Sequence, residues 1–211
     1  MEVNLSHPLE VVTPTLDALV LEVLARGDTE FTGRQIARAA TSKATHSGTD
    51  KVLERLVQQG IVEAKSAGRA TLYRLNREHL AAAYIEGLAS IRLRLIDSMR
   101  DLIEKWEVAP VYAALFGSTV RGESSADSDL DVFIVRPGQM DPDDDRWASQ
   151  LVDLTLRTSR WTGNDTRILE YGADELLTLL GREPVLDDIR KEGVGLVGDA
   201  GVLTGGRKAR R

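Results

Sequence analysis

The chain has 211 residues, 42% of them hydrophobic and 28% charged, with a formal net charge of −6 and no cysteine. Such a length and composition suggest one or two domains with a sizeable core, and the missing cysteine excludes disulfides and thiolate chemistry and fits a cytoplasmic protein. No apolar run approaches the roughly 18 residues of a transmembrane helix, and Met1 to Glu10 shows neither the basic nor the apolar region of a secretory signal. The charge is uneven. Residues 1–80 carry ten basic and ten acidic side chains, residues 81–206 thirteen and twenty-three, and residues 207–211 four basic and none acidic. An acidic body does not attract free nucleic acid unless a metal intervenes.

Residues 1–13 read as irregular. Pro14 suits the first turn of a helix capped by Thr13, and Leu16, Leu19, Val20, Val23 and Leu24 follow at helical spacing until Gly27. Thr32 caps a short helix from Gly33 to Ala40, with Ile36 and Ala40 inward. After a polar turn from Thr41 to Ser47, a third helix runs to about Gln59, with Val52, Leu53, Leu56 and Val57 inward and Gly60 as its stop. Ile61 to Lys65 and Ala70 to Leu75 alternate as two strands joined at Ser66–Arg69. Three short helices and a β-hairpin make a winged helix-turn-helix over residues 14–79.

In the nucleic-acid reading of this module the third helix enters a major groove. His46, Ser47, Thr49, Lys51 and Arg55 then face DNA or RNA, and Lys43, Lys65, Arg69 and Arg74 flank as phosphate contacts. The competing reading is a winged helix used for dimerisation or protein docking. Residues 27–80 carry nine basic and six acidic residues, a small excess for a DNA reader. Leu80 to about Trp106 has one long helical pattern, with Leu88, Ile91, Leu95, Ile96, Met99, Leu102 and Ile103 at three-and-four spacing. Residues 80–106 are therefore a connecting helix or a dimerisation helix, the latter implying a homodimer.

Residues 107–198 make a second domain. Val111 to Phe116 is a buried strand, Gly117-Ser118 a sharp turn, and a polar stretch leads to a strand carrying Asp129, Asp131 and Val132 to Val135. Side chains at i and i+2 of a strand share a face, about 7 Å apart, so two carboxylates so placed can share divalent cations. Gly117 admits close approach of a ligand to backbone, and Ser118 with the turn amides can hold a phosphate. A phosphate cradle facing paired carboxylates is what a magnesium–nucleotide site needs. Asp141-Pro-Asp-Asp-Asp145 reads as the acidic start of a helix from Arg146 to about Trp161 that buries Trp147, Leu151 and Leu154. Thr166 to Tyr171 is a strand, Ala173 to Leu180 and Val185 to Lys191 are helices, and Gly193 to Val197 is extended. Residues 199–211 read as a flexible basic tail.

Gly117-Ser118, Arg121-Gly122 and Asp129-x-Asp131 resemble the signature of the DNA polymerase β-like nucleotidyltransferase superfamily, above all its minimal prokaryotic members. Leu56-Val-Gln-Gln-Gly-Ile-Val62, Gly68-Arg69, Tyr73-Arg-Leu-Asn76 and His79 resemble the winged-helix repressors of bacteria and archaea. The expected fold is α+β: an N-terminal winged helix-turn-helix, a connecting helix, and an α/β domain on a small mixed sheet. The first resemblance implies transfer of a nucleoside monophosphate from a nucleoside triphosphate to a hydroxyl, with Mg2+ or Mn2+ on three carboxylates. Asp129 and Asp131 match the first two, Ser118 the phosphate-holding serine, and Arg121 either pins the turn or neutralises a phosphate.

The third acid departs from the pattern, because Arg167 falls nearest its place. Glu170 is the substitute if Leu169 and Tyr171 face the core helices, Asp165 the other candidate, and absence of a third ligand the remaining alternative. Minimal members act in two-component toxin–antitoxin pairs, which implies a partner protein as acceptor or companion. The alternative function is a DNA-binding, antitoxin-like transcriptional regulator whose degenerate domain senses nucleotide.

Overall fold

The computed structural model describes residues 3–40, 45–121 and 128–205. These form two compact units, one of residues 7–92 and one of residues 93–205 with residues 3–6.

The first unit packs α1 (Leu16–Ala25), α2 (Gly33–Ala40) and α3 (His46–Gln58) against a three-stranded antiparallel sheet. The sheet comprises β1 (Phe31–Thr32), β2 (Val62–Ala67) and β3 (Ala70–Leu75), in the order β1-β3-β2. Ala18, Val20, Leu24, Ile36 and Leu53 are wholly buried in its core. Thr32 and Gln35 bond each other reciprocally at the start of α2, and Thr45 caps α3 through the Gly48 N–H. The first helix begins two residues later than expected, with Thr15 in extended conformation at the cap and Pro14 outside it. The segment ahead of α1, expected to be irregular, winds into a 3-10 turn, Pro8–Val11, that buries Leu9. Glu22 on α1 holds that turn. Glu22 is 3% exposed, and its carboxylate accepts the Leu9 N–H at 2.8 Å and lies 3.0 Å from His7 Nδ1.

One helix was expected from Leu80 to Trp106, but the chain breaks at Ser90. α4 (Ala82–Ala89) precedes the break and α5 (Ile91–Ile103) follows it. The Ser90 hydroxyl donates to the Gly87 carbonyl at 2.9 Å, and Ser90 sits at φ −93°, ψ 6°. A Gly/Ser pair with back-bonding is a recognised cause of a helix break. The division between the two units falls just after this break.

The second unit is built on a mixed four-stranded sheet of β4 (Tyr112–Phe116), β5 (Leu130–Arg136), β6 (Thr166–Gly172) and β7 (Val194–Gly198). Its order is β6-β5-β4-β7. β5 and β6 are parallel; the other pairs are antiparallel. A short helix, α6 (Ser118–Arg121), follows β4. The parallel crossover runs through α7 (Asp145–Thr162), as a parallel pair requires. Asp144 caps α7 by accepting the Arg146 and Trp147 N–H groups, and Gly163 closes it in the left-handed region at φ 78°. In the same loop, Asp141 accepts the Asp143 N–H at 3.0 Å. This run of aspartates shapes a helix start.

α8 (Ala173–Leu179) and α9 (Pro184–Glu192) cover one face of the sheet, where Leu176, Leu186 and Ile189 meet Tyr112, Ala114, Phe133 and Val135. Trp147 and Leu154 of α7 are fully buried. α5 is tied to the edge strand by the Arg100 Nε donating to the Leu196 carbonyl at 3.1 Å. The helices after β6 fall where expected, but residues 194–198 form a true strand beside β4, and residues 200–204, expected in a flexible tail, wind into a 3-10 turn that buries Leu203 in the core.

Replacing Glu22 with alanine leaves the buried Leu9 N–H without its acceptor. A loss of about 2 kcal/mol is expected, read as a lower urea midpoint at unchanged m-value.

Candidate active site

Side-chain alternation on β5 and β6 decides which groups meet. Across the parallel ladder Asp131 pairs with Arg167, and Ile134 with Glu170. Successive strand residues point to opposite faces. Asp131 and Arg167 therefore share the face of Phe133, Leu169 and Tyr171. Glu170 shares the other face with Ile134 and Arg136. Asp129 lies two residues before Asp131, at the mouth of β5, and Arg167 Nη2 stands 2.9 Å from its Oδ2.

The turn after β4 brings a backbone against this pair. Phe116 is the partner of Asp131 across β4 and β5, so Gly117 follows directly beside the carboxylate. Gly117 has φ 77°, and a Cβ there would collide with Asp131 Oδ2. Both facts require glycine. Its carbonyl accepts the Val120 and Arg121 N–H groups, which starts α6 with Ser118 as its first residue. Arg121 closes α6, its Nη1 3.6 Å from Glu192 Oε2 at the end of α9.

Burial pushes the Asp131 carboxyl above the usual carboxylate range, and the charge of Asp129 adds to the push; Arg167 and Arg121 oppose it. The site thus sets Asp129 and Asp131 against Arg121 and Arg167, with Glu192 paired to Arg121. Sequence reading missed Glu192, which carries no motif, and named Arg167 only as an obstacle.

Glu170 is not brought to the aspartates, and the expectation that it supplies the third carboxylate is corrected here. Its Oε1 accepts from Arg136 Nε at 2.8 Å and from the Trp147 indole N–H at 2.9 Å. Arg136 also donates to the Met140 carbonyl. Helices cover both faces of the sheet, so apolar Leu169 and Tyr171 did not identify the open one. Asp165 is exposed, and its carbonyl accepts the Leu130 N–H at 2.7 Å. Among the described residues no three His, Cys, Asp or Glu side chains converge as a metal-holding group.

In the first unit the candidate nucleic-acid residues scatter. His46, Ser47 and Lys51 are exposed on the first turns of α3, and Arg69 is exposed at the hairpin turn. The His46 ring is held 2.6 Å from Asp50 Oδ2. Thr49 is 0% exposed, so it faces the core and cannot reach a base. Arg55 is ion-paired to Asp17 on α1. Lys43 lies outside the described residues. A cleft of about 490 Å³ is lined by Arg34, His46, Asp50, Arg69 and Tyr73 among others; Arg34 had no sequence signal beyond its charge.

The raised Asp131 carboxyl has a consequence for stability. Between the ordinary carboxylate range and the raised folded value, the folded chain holds a proton there that the unfolded chain has released, so stability falls as pH rises across that window. Asp131→Asn removes that penalty. In metal-free buffer the variant is expected to melt above the native protein at pH 7, with the gap closing as pH drops below the ordinary carboxylate range; calorimetric scans at several pH values check this.

A family model described as a nucleotidyltransferase domain matches residues 96–181. Among solved structures, one described as "Crystal structure of the toxin-antitoxin with AMP-PNP" is similar over 49% of this chain and 73% of that chain, at 15% sequence identity and a TM-score of 0.35. No curated protein matches the chain.

Proposed function

We propose that the protein is a nucleotidyltransferase that moves a nucleoside monophosphate from a nucleoside triphosphate to a hydroxyl acceptor, with Mg2+ or Mn2+ bound at Asp129 and Asp131. One observation carries this reading. Gly117 lies against Asp131, with Asp129 two residues away, inside the span that matches a nucleotidyltransferase domain.

The donor set fits the metal. Two hard carboxylates sit close enough that one raises the proton affinity of the other, and Mg2+ binds through one or two carboxylates plus phosphate oxygens. A divalent ion held there supplies charge neutralisation for the phosphates and polarises the reacting phosphoryl group. The chain's own residues do the positioning. Gly117 keeps the backbone clear of bulk beside Asp131. Ser118 and the turn it opens offer a hydroxyl and amides to a phosphate. Arg121 adds positive charge on the same side. In the transfer the acceptor oxygen bonds to the α-phosphorus and the bond to the α,β-bridging oxygen breaks. Pyrophosphate then departs and the hydroxyl proton passes to solvent.

Residues 14–79 are read as a winged helix-turn-helix that brings the domain to nucleic acid or to a partner protein, through His46, Ser47, Lys51 and Arg69. Thr49 and Arg55 leave that set. Arg167, standing where an acid was expected, favours a second reading: a DNA-binding regulator whose second unit senses nucleotide without transferring it.

Calorimetric titration of each of the four nucleoside triphosphates, with and without Mg2+, tests the site. Binding that needs Mg2+ and is lost in the Asp129→Asn, Asp131→Asn double variant is the expected result. Absence of binding by the native chain would overturn both nucleotide readings.

A further inference from the structure

The position opposite Asp131 on β6 carries a cation instead of a carboxylate. The parallel register pairs Arg167 with Asp131 and turns both to the same face. Its guanidinium reaches Asp129 at 2.9 Å. The two partners differ in exposure: the Arg167 side chain is 72% exposed, the Asp129 side chain 28%. Nothing buries Arg167 in this pose. A long, largely solvated arginine paired to a carboxylate at a strand mouth gains little from the pair and keeps its freedom to swing. The Arg136–Glu170 pair one turn of the strand further on is the opposite case, with side chains 11% and 24% exposed and the carboxylate also bound to Trp147. That pair is fixed; the Arg167–Asp129 pair is exchangeable.

We propose that Arg167 is a phosphate-binding residue that trades places with the metal. Without nucleotide, its guanidinium neutralises Asp129. When a divalent cation takes Asp129 and Asp131, Arg167 is released and pairs with the non-reacting phosphates of the bound triphosphate. Guanidinium is suited to this, because its planar fork matches phosphate oxygens and it never loses its charge. Charge bookkeeping points the same way. A nucleoside triphosphate and two aspartates bring far more negative charge than one divalent ion removes, and Arg121 and Arg167 are the cations whose charge acts on Asp131. The site then works with one divalent ion and an arginine where three carboxylates would hold two ions. This inference rests on the nucleotide reading given above and adds the metal count and the residue that substitutes for the missing acid.

The two halves of the exchange have opposite signs, which makes them separable. Arg167→Ala is expected to weaken binding of each Mg2+–nucleoside triphosphate by about tenfold or more. It is also expected to tighten binding of Mn2+ alone, because Asp129 is no longer occupied. Arg167→Lys should recover part of the nucleotide affinity. Arg167→Glu places a third carboxylate opposite Asp131, and its Mn2+ stoichiometry, counted by electron paramagnetic resonance, should rise from one per chain to two. The exposure of Arg167 keeps these substitutions from threatening the fold. Nucleotide affinity that is unchanged or tighter in Arg167→Ala would overturn the phosphate role and leave the arginine as a lock on Asp129. Unchanged Mn2+ affinity would overturn the exchange. A native chain that binds no nucleotide under any condition would defeat the nucleotide reading itself, and this inference with it.

Discussion

The parallel pairing of β5 with β6 is the constraint on which the second unit depends. A strand has two faces and a period of two, so one register assigns every side chain at once. With Asp131 opposite Arg167, the carboxylates and the arginine share one face. On the other face, Arg136, Glu170 and Trp147 join the end of β5, the middle of β6 and the first turn of α7. A slip of one residue would exchange the two sets. It would leave Arg136 buried without its carboxylate and bring Glu170 toward Asp131. The buried network therefore protects the register that builds the site, although no member of it touches the site. Removing one partner of such a pair is far costlier than the pair is stabilising, and that asymmetry makes it a specifier of alignment.

The site itself carries unrelieved repulsion. Asp129 and Asp131 are close, Asp131 is partly withdrawn from water, and the guanidiniums nearby compensate only in part. Folding tolerates this cost because the flanking strands are among the most buried parts of the chain: Leu130, Val132, Phe133, Ile134 and Val135 are all 0% exposed. Rigid, apolar strands hold two like charges where a free loop would let them drift apart. Preorganisation of this kind is what electrostatic catalysis and tight cation binding both require.

Much of this was legible in the sequence, and the reasons are local. Gly117, Asp129 and Asp131 announced themselves because a sharp turn, a close approach and a shared strand face each demand particular residues at fixed spacing. The helices α1 to α3 and the hairpin followed from apolar periodicity. What failed to show was non-local. The choice between Glu170 and Arg167 turns on which strand β6 joins and in which direction, and apolar neighbours gave no help on a sheet covered on both faces. The buried side of Thr49 depends on how α3 packs, which a helical wheel does not fix for a lone threonine. The break at Ser90 was hidden because the apolar pattern runs on through it. β1, only two residues long, is defined entirely by its partner β3.

The three tryptophans, Trp106, Trp147 and Trp161, all fall in the second unit, and residues 7–92 contain none. Trp106 and Trp147 pack edge to face, their ring centroids 5.7 Å apart, with the Trp147 indole bonded to Glu170. Intrinsic emission of this chain is therefore a one-sided optical probe. Its colour reports solvent entry around the Arg136–Glu170 network and is silent about the helices and hairpin of the first unit, whose aromatic signal rests on tyrosine and phenylalanine alone. A melting curve followed by indole emission thus tracks the second unit, while one followed by far-ultraviolet dichroism tracks both, and a separation between the two curves measures how independently the units unfold.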